Sequence, residues 1–352
     1  KTGKGSDRIE NTGGHHMQIK AGEIMKLMNQ WAPPGLAESW DNPGLQTGRR
    51  DKDVRRILVA LDVTEKNIDW AIRHHVDMII SHHPLLFKSL KKIDADTEKG
   101  RMLCKLISSD IVSFAAHTNL DSTEEGVNDA LAERLQLKNC TGFIPVKTDA
   151  VYQLVIHCAR TAGRQLAEVF SFANISILRD ADDSMIHMEL KVKEEQRREV
   201  SDLIEKWSGL IYSTEWHRLC FEGKQHAMGR VGWLPYEMPA EAALAYVKEK
   251  LDIPVLRFCG QVDKTVSRVA VLGGSGAEFA NAAVAAGADM YITGDVKYHQ
   301  GQDAAGMGLL LVDGGHFYTE RVIVPYLARK LRHEAEKRGW DVEIMEDHKA
   351  RD

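Results

Sequence analysis

Two short segments carry histidines and carboxylates at spacings suited to divalent-cation ligation. Met78-Ile79-Ile80-Ser81-His82-His83-Pro84 places two imidazoles where an apolar run ends, and the proline after them blocks further regular strand pairing. A turn of the backbone there lets both rings face one site, one histidine to each metal. His316-Phe317-Tyr318-Thr319-Glu320 sets an imidazole and a carboxylate four residues apart, which puts both on one face of a helix. His117-Thr118-Asn119-Leu120-Asp121 repeats that spacing, and Asp121 supplies a second carboxylate able to bridge two cations. His82, His83, Asp121, His316 and Glu320 together provide three imidazoles and two carboxylates, enough for two divalent ions per chain. Such a donor set suits zinc foremost, with iron, manganese, cobalt or nickel as alternatives.

The elements that must position these residues come from an internal repeat. At a constant offset of 212 residues, Val54–Val59 lies over Val266–Val271 and Asp77–Ser81 over Asp289–Thr293 without a gap. Each copy reads as strand, turn, helix and strand, the pattern of a βαβ unit with parallel strands. Further apolar strands, Ile111–Ala115 and Leu309–Val312, each run on into a His-x-x-x-carboxylate motif. The fold class expected is therefore α/β, with two related halves of mostly parallel strands forming one core over residues 17–145 and 227–345. His316 and Glu320 open an amphipathic helix expected to continue to about Lys337. Between the halves, residues 146–226 read as strand, helix, strand, helix, strand, a small ferredoxin-like α+β domain inserted in a loop. Residues 1–16, including His15-His16, are polar and Gly-rich and are set aside as a disordered leader or cloning remnant.

Other tempting residues receive structural or supporting roles. His74-His75 fall near a helix end, beside the core-facing Ile72 and Val76, and are expected to be structural. Gly273-Gly274-Ser275-Gly276 lacks the last glycine of a dinucleotide fingerprint, Phe279 standing there, and is expected to be a tight turn rather than a phosphate cradle. Gly294-Asp295 occupies the repeat position of His82-His83, which leaves that side of the site more open to water or substrate. Asp295, Lys297, His299 and His117 are candidates for proton transfer or substrate contact.

Composition narrows the remaining choices. The chain has 352 residues, 43% hydrophobic and 28% charged, enough for a core in two or three domains. Its 46 basic and 51 acidic residues give a formal charge of -5, which argues against nucleic acid as partner. The longest apolar runs are strand-sized, so no membrane span is expected. The five cysteines form no C-x-x-C pair, which fits a reducing cytoplasm.

Ser81-His-His-Pro-Leu85, His117-Thr-Asn-Leu-Asp-Ser122, Gly294-Asp-Val-Lys-Tyr-His299, Asp313-Gly-Gly-His-Phe-Tyr-Thr-Glu320 and Trp40-Asp-Asn-Pro-Gly-Leu45 resemble the motifs of the NIF-three family. Bacterial members carry the label GTP cyclohydrolase type-two homologue. The resemblance spans both halves, roughly Met17–Gly142 and Ala227–Arg338. It implies a dinuclear centre at the five ligand positions and a homohexameric ring with its sites facing inward. The middle segment resembles the extra domain of longer bacterial members, itself similar to small trimeric signalling and metal-tolerance proteins. The function expected is a metal-dependent hydrolase acting on a nucleotide, an N-heterocycle or a phosphoester small molecule. The alternatives are a non-catalytic metal-binding scaffold or metal-trafficking regulator and, with less support, an adaptor.

Overall fold

The computed structural model describes residues 18–181, 184–220 and 222–347; the leader expected over residues 1–16 lies outside them. The chain forms two compact units, one built from the segments up to Ile144 and from Met228 onward, the other from Pro145–Ala227.

The larger unit holds two sheets on a common plan. In the first, Arg56–Ala60, Met78–Ser81 and Val112–Ala115 are adjacent and parallel. In the second, Thr265–Ser275, Met290–Gly294 and Leu310–Asp313 repeat that arrangement. Register between the first two of these strands follows the sequence repeat up to Val59 and Val271, after which the second sheet shifts. Ile57 pairs with Met78 and Leu58 with Ile79, as Val269 pairs with Met290 and Ala270 with Tyr291. One carboxylate braces each copy at the same place. Asp77 Oδ2 accepts from the Arg55 and Arg56 amides at 2.8 and 3.1 Å, and Asp289 Oδ2 from the Ser267 and Arg268 amides at 2.9 and 2.8 Å. Bonds to an ionised acceptor of this kind are stronger than neutral ones and fix where the strand enters the sheet.

The flanking strands are less regular than the sequence pattern implies. Gly44–Thr47 closes the first sheet antiparallel, and Arg257–Cys259, Arg230–Pro239 and Lys138–Thr141 are antiparallel members of the second. The two halves also exchange edges. Lys138–Thr141 leaves the first half to join the second sheet, and Glu343–Glu346 returns from the chain's end to pair with Arg56–Ala60. Helices Ala21–Trp31 and Ile323–Arg338 share a core with the first sheet, contributing Ile24, Met28, Leu327 and Leu331 to it. Each such side chain, fully buried, contributes about 1.5–3 kcal/mol.

Local signals explain the element ends. Thr64 and Asn67 cap the helix Glu65–Arg73 reciprocally, Thr64 Oγ1 accepting from the Asn67 amide at 3.2 Å and Asn67 Oδ1 from the Thr64 amide at 2.8 Å. Gly339, at φ 67°, closes the helix Ile323–Arg338 in the left-handed conformation. The continuous helix expected from His316 to Lys337 is instead two, His316–Glu320 and Ile323–Arg338.

The smaller unit is a four-stranded antiparallel sheet in the order Asn174–Asp180, Met185–Lys193, Val151–Ala159, Ile211–Leu219, with helices Gly163–Val169 and Arg197–Lys206. That is the βαββαβ order of a ferredoxin-like domain. Asn174–Asp180 is the strand that the sequence pattern omits. It is an edge strand with little burial, and the alternation of Asn174-Ile175-Ser176-Ile177 stops at Leu178, too short to mark it. Leu154, Ile156, Leu166, Phe170, Met188 and Leu190 lie in this unit's own core. Among the described residues all five cysteines are free, and no helix is long and apolar enough to cross a membrane.

Candidate metal centre

The carboxyl ends of the parallel strands bring the histidines together. His82 and His83 follow Met78–Ser81 directly, and their amides prolong the ladder by donating to Ala60 O and Leu61 O at 3.2 and 3.0 Å. Both rings nonetheless reach one cluster, their centroids 4.9 Å apart. His117 follows Val112–Ala115, and its ring centroid is 5.2 Å from that of His82 and 5.4 Å from that of His83. His316, at the start of its short helix, approaches from the second half, 5.5 Å from His83 by centroids.

Each of the four imidazoles is held through Nδ1. His82 Nδ1 is 2.9 Å from Ala116 O, His83 Nδ1 2.7 Å from Asp62 Oδ1, His117 Nδ1 2.8 Å from Asp41 Oδ1, and His316 Nδ1 2.7 Å from Asp295 Oδ2. Carbonyl and carboxylate oxygens only accept, so every Nδ1 carries a proton and Nε2 is the ring nitrogen that can act as a ligand once it is deprotonated. An oxygen acceptor behind each imidazole is the usual outer shell of a histidine metal site, fixing tautomer and ring orientation.

The Nε2 atoms of His82, His83 and His316 converge on buried carboxylates. Glu320 Oε2 stands 3.0 Å from His83 Nε2 and 3.1 Å from His316 Nε2, and Oε1 stands 3.7 Å from His82 Nε2. Asp121 Oδ1 is 3.7 Å from His82 Nε2. Buried His82 Nε2, Asp121 Oδ1 and Glu320 Oε2 all lack a partner with hydrogen-bond geometry. Buried polar atoms left this way cost roughly 1–3 kcal/mol each. A cation among them relieves that cost, and the donor chemistry fits one. The ligand atoms fall into two groups, His82 with His83 and His117, and His83 with His316 and Glu320, each within 4.8 Å of one another.

The electrostatics of these side chains agree with this. Burial opposes charge on His83, but contacts with the Asp62 and Glu320 carboxylates outweigh it and raise its pKa to about 10. Contact with Glu320 lifts His316 to about 9 against its burial. Burial pushes the Asp121 carboxyl up to about 7. Glu320 is held well below the ordinary carboxylate range, its imidazole neighbours outweighing a large cost of burial.

Of the residues expected as ligands, His82, His83, His316 and Glu320 fall in these groups, while Asp121 falls in neither and approaches only His82; His117, expected to move a proton, stands among the donors. Asp295 is beside His316 at φ 56°, a left-handed conformation uncommon for a residue other than glycine. Lys297 and His299 are exposed, and His299 belongs to neither ligand group; its ring packs edge-on against Tyr298. His74 stacks on Trp70 at 3.9 Å, away from the cluster's contacts. Gly273-Gly274 backs directly onto the centre. A Cβ on Gly274 would sit 2.2 Å from Glu320 Oε1, so the turn's glycine is what admits that carboxylate. Sequence reasoning missed the anchoring roles of Asp41 and Asp62. Asp62 carries a usable signal, since it is the residue that the 212 offset sets opposite Gly274.

Fold and cluster together define an α/β protein with a preorganised group of imidazoles and carboxylates that could hold a divalent metal. The chain belongs to the Duf34/NIF3 (NGG1p interacting factor 3) family, whose pattern matches residues 19–351. It is 33% identical to a Bacillus subtilis protein named GTP cyclohydrolase 1 type 2 homolog, across 93% of this chain and 96% of that one. Two crystal structures share the fold over 95% of this chain and 98% of theirs. One is a Bacillus cereus protein related to NIF3, with a TM-score of 0.85 at 31% identity, and the other a Staphylococcus aureus protein, with a TM-score of 0.87 at 28%.

Proposed function

We propose that this protein is a metal-dependent hydrolase that holds two divalent cations and acts on a nucleotide, an N-heterocyclic or a phosphoester small molecule. The observation that carries the reading is the set of four imidazoles, each pinned through Nδ1, three of which, His82, His83 and His316, turn Nε2 toward two buried carboxylates. His82, His83, His117 and Asp121 would hold one cation, and His83, His316 and Glu320 a second or shared one. Bound there, such ions supply Lewis acidity and lower the pKa of a water at neutral pH. The protein's own part is to orient and to relay. Ala116, Asp62, Asp41 and Asp295 keep the imidazoles in the ligating tautomer, and Asp295, half exposed beside His316, is placed to pass a proton between the centre and solvent. Nucleotides as the substrate class rest on the name GTP cyclohydrolase that the Bacillus subtilis relative carries. A cytoplasmic homohexamer is part of the same proposal, resting on composition and family resemblance.

The test is elemental analysis of the native protein, then a hydrolysis screen over nucleotides and phosphoesters with the same metal restored. Turnover that disappears in Glu320→Ala is expected. Full metal occupancy without turnover on any of these compounds would overturn the hydrolase reading and leave a metal scaffold.

A further inference from the structure

Two large aromatic side chains stand in solvent against the metal-donor histidines, and neither is needed to hold a metal. Trp40 is 57% and Phe87 47% exposed. Their ring centroids are 5.8 Å apart at 65°, and each lies 6.1 Å from the ring of His117. Both also line a cavity of about 590 Å³, together with Asp41, Leu90, Ile93 and Lys88. That volume is in the range of small-molecule sites.

The corner these rings make is fixed. Asn42, next to the Asp41 that anchors His117, donates from Nδ2 to Leu86 O at 2.7 Å. Gln46 Oε1 accepts from the Leu86 amide at 2.9 Å, while its Nε2 donates to Asn42 O at 2.8 Å. Two hydrogen bonds to Leu86 thus tie the segment carrying Trp40 to the loop carrying Phe87, and the third braces Gln46 against Asn42. Rigid aromatic surface held in water next to a metal cluster is suited to stacking a planar ring, and every nucleobase presents such a face.

We infer that Trp40 and Phe87 form the base-binding wall of the substrate site, holding the heteroaromatic ring of a nucleotide beside His117 while Lys88 meets its phosphate. The inference rests on the hydrolase reading for its substrate class, but its test measures binding alone. Trp40 and Phe87 are positioning residues here and touch no reacting atom.

The experiment is titration calorimetry of the full-length protein with its native metal, using guanosine monophosphate and, as the ring-free probe, ribose 5-phosphate. The nucleotide is expected to bind about tenfold or more tightly than ribose 5-phosphate, the scale of one base–aromatic stack. Trp40→Ala and Phe87→Ala should each erase most of that difference with metal content unchanged, and Trp40→Phe should restore it. Equal affinity for the two probes in the parent protein, or an undiminished difference in Trp40→Ala, overturns the inference. So does a changed oligomeric mass in Trp40→Ala, which makes the rings a contact between copies, or a loss of metal, which makes them a support for His117. Nucleotide binding that depends on Trp40 without any turnover upholds the inference while removing the hydrolase reading, so the two failures are distinct.

Discussion

In the first half of the core the strand Met78–Ser81 runs into His82-His83; in the second its counterpart Met290–Gly294 runs into Asp295. The frames match in register, yet their ends divide the work. The first half brings three imidazoles and Asp121, the second one imidazole and Glu320. Two positions related by the offset exchange roles. Asp62 holds His83, whereas its counterpart Gly274 has no side chain and leaves room for Glu320; His83 is a donor, whereas its counterpart Asp295 holds His316. A repeated scaffold therefore yields a one-sided site, with one carboxylate at its centre and the other at its margin.

The largest expected effect tests that asymmetry directly. Glu320 approaches three imidazoles and Asp121 one, so Glu320→Ala should abolish retained metal and Asp121→Ala should remove a large part of it. Elemental analysis of the purified variants measures both, with His74→Ala as the unaffected control. Equal losses would erase the distinction between the halves, and full occupancy in Glu320→Ala would remove the site.

Next come the anchors. Removing an outer-shell partner typically weakens metal binding about 10- to 100-fold. Asp41 is buried and holds His117 together with the Thr118 amide and hydroxyl, whereas Asp295 is half exposed and its bond to His316 is screened by water. Asp41→Ala should fall near the upper end of that range and Asp295→Ala near the lower, read by competition with a chelator. The reverse order would mean that the second half, not the first, sets the affinity.

A smaller and graded effect is the response to pH. His83 and His316 have pKa values raised to about 10 and about 9 in the cation-free cluster, so both are protonated at pH 7 and must each lose a proton to ligate. Metal affinity should then climb with pH by about two decades per unit from pH 7 until about pH 9. The cation-free fold should respond oppositely. Groups raised above their unfolded values stabilise fully below about pH 6.5, and that contribution is lost as pH rises through 9 and 10. A pH-independent affinity between 7 and 9 would mean that the imidazoles are already neutral.

Much of this is legible in the sequence. The offset of 212 residues carries the register of the first two parallel strands of each sheet, because strands buried on both faces keep apolar runs that align without a gap. The His-x-x-x-carboxylate motifs are local and so are visible. What stayed hidden is long-range or weakly patterned. Asp41 acts 76 residues from His117, and Asp62 acts 21 residues from His83, contacts that only the folded sheet creates. The edge exchange of Lys138–Thr141 and Glu343–Glu346 joins segments that no local period links. The turn at Arg321-Val322 splits one amphipathic pattern into two helices, and Pro325, which has no amide to bond the Arg321 carbonyl four residues earlier and whose ring clashes with it, marks that break in the sequence.

The smallest expected effect concerns the segment that lacks any counterpart in the repeat. Residues 145–227 make their own compact unit with their own apolar core, and every donor and every anchor of the metal cluster lies outside them. The chain enters and leaves this unit along a paired ribbon, Ile144–Thr148 against Gln225–Met228, closed by the Asp149 amide donating to Lys224 O at 2.9 Å. Excising residues 150–223 and joining Asp149 to Lys224 through Asn-Gly converts that ribbon into a hairpin, since the dipeptide favours the two-residue turn such strands need. The shortened protein should fold and retain the metal content of the full chain, because no buried side chain of the two cores is removed. Elemental analysis with a thermal melt reads both. Metal lost from a folded excision variant would mean that the centre depends on a segment outside the repeat, and the comparison of two halves would no longer account for the site.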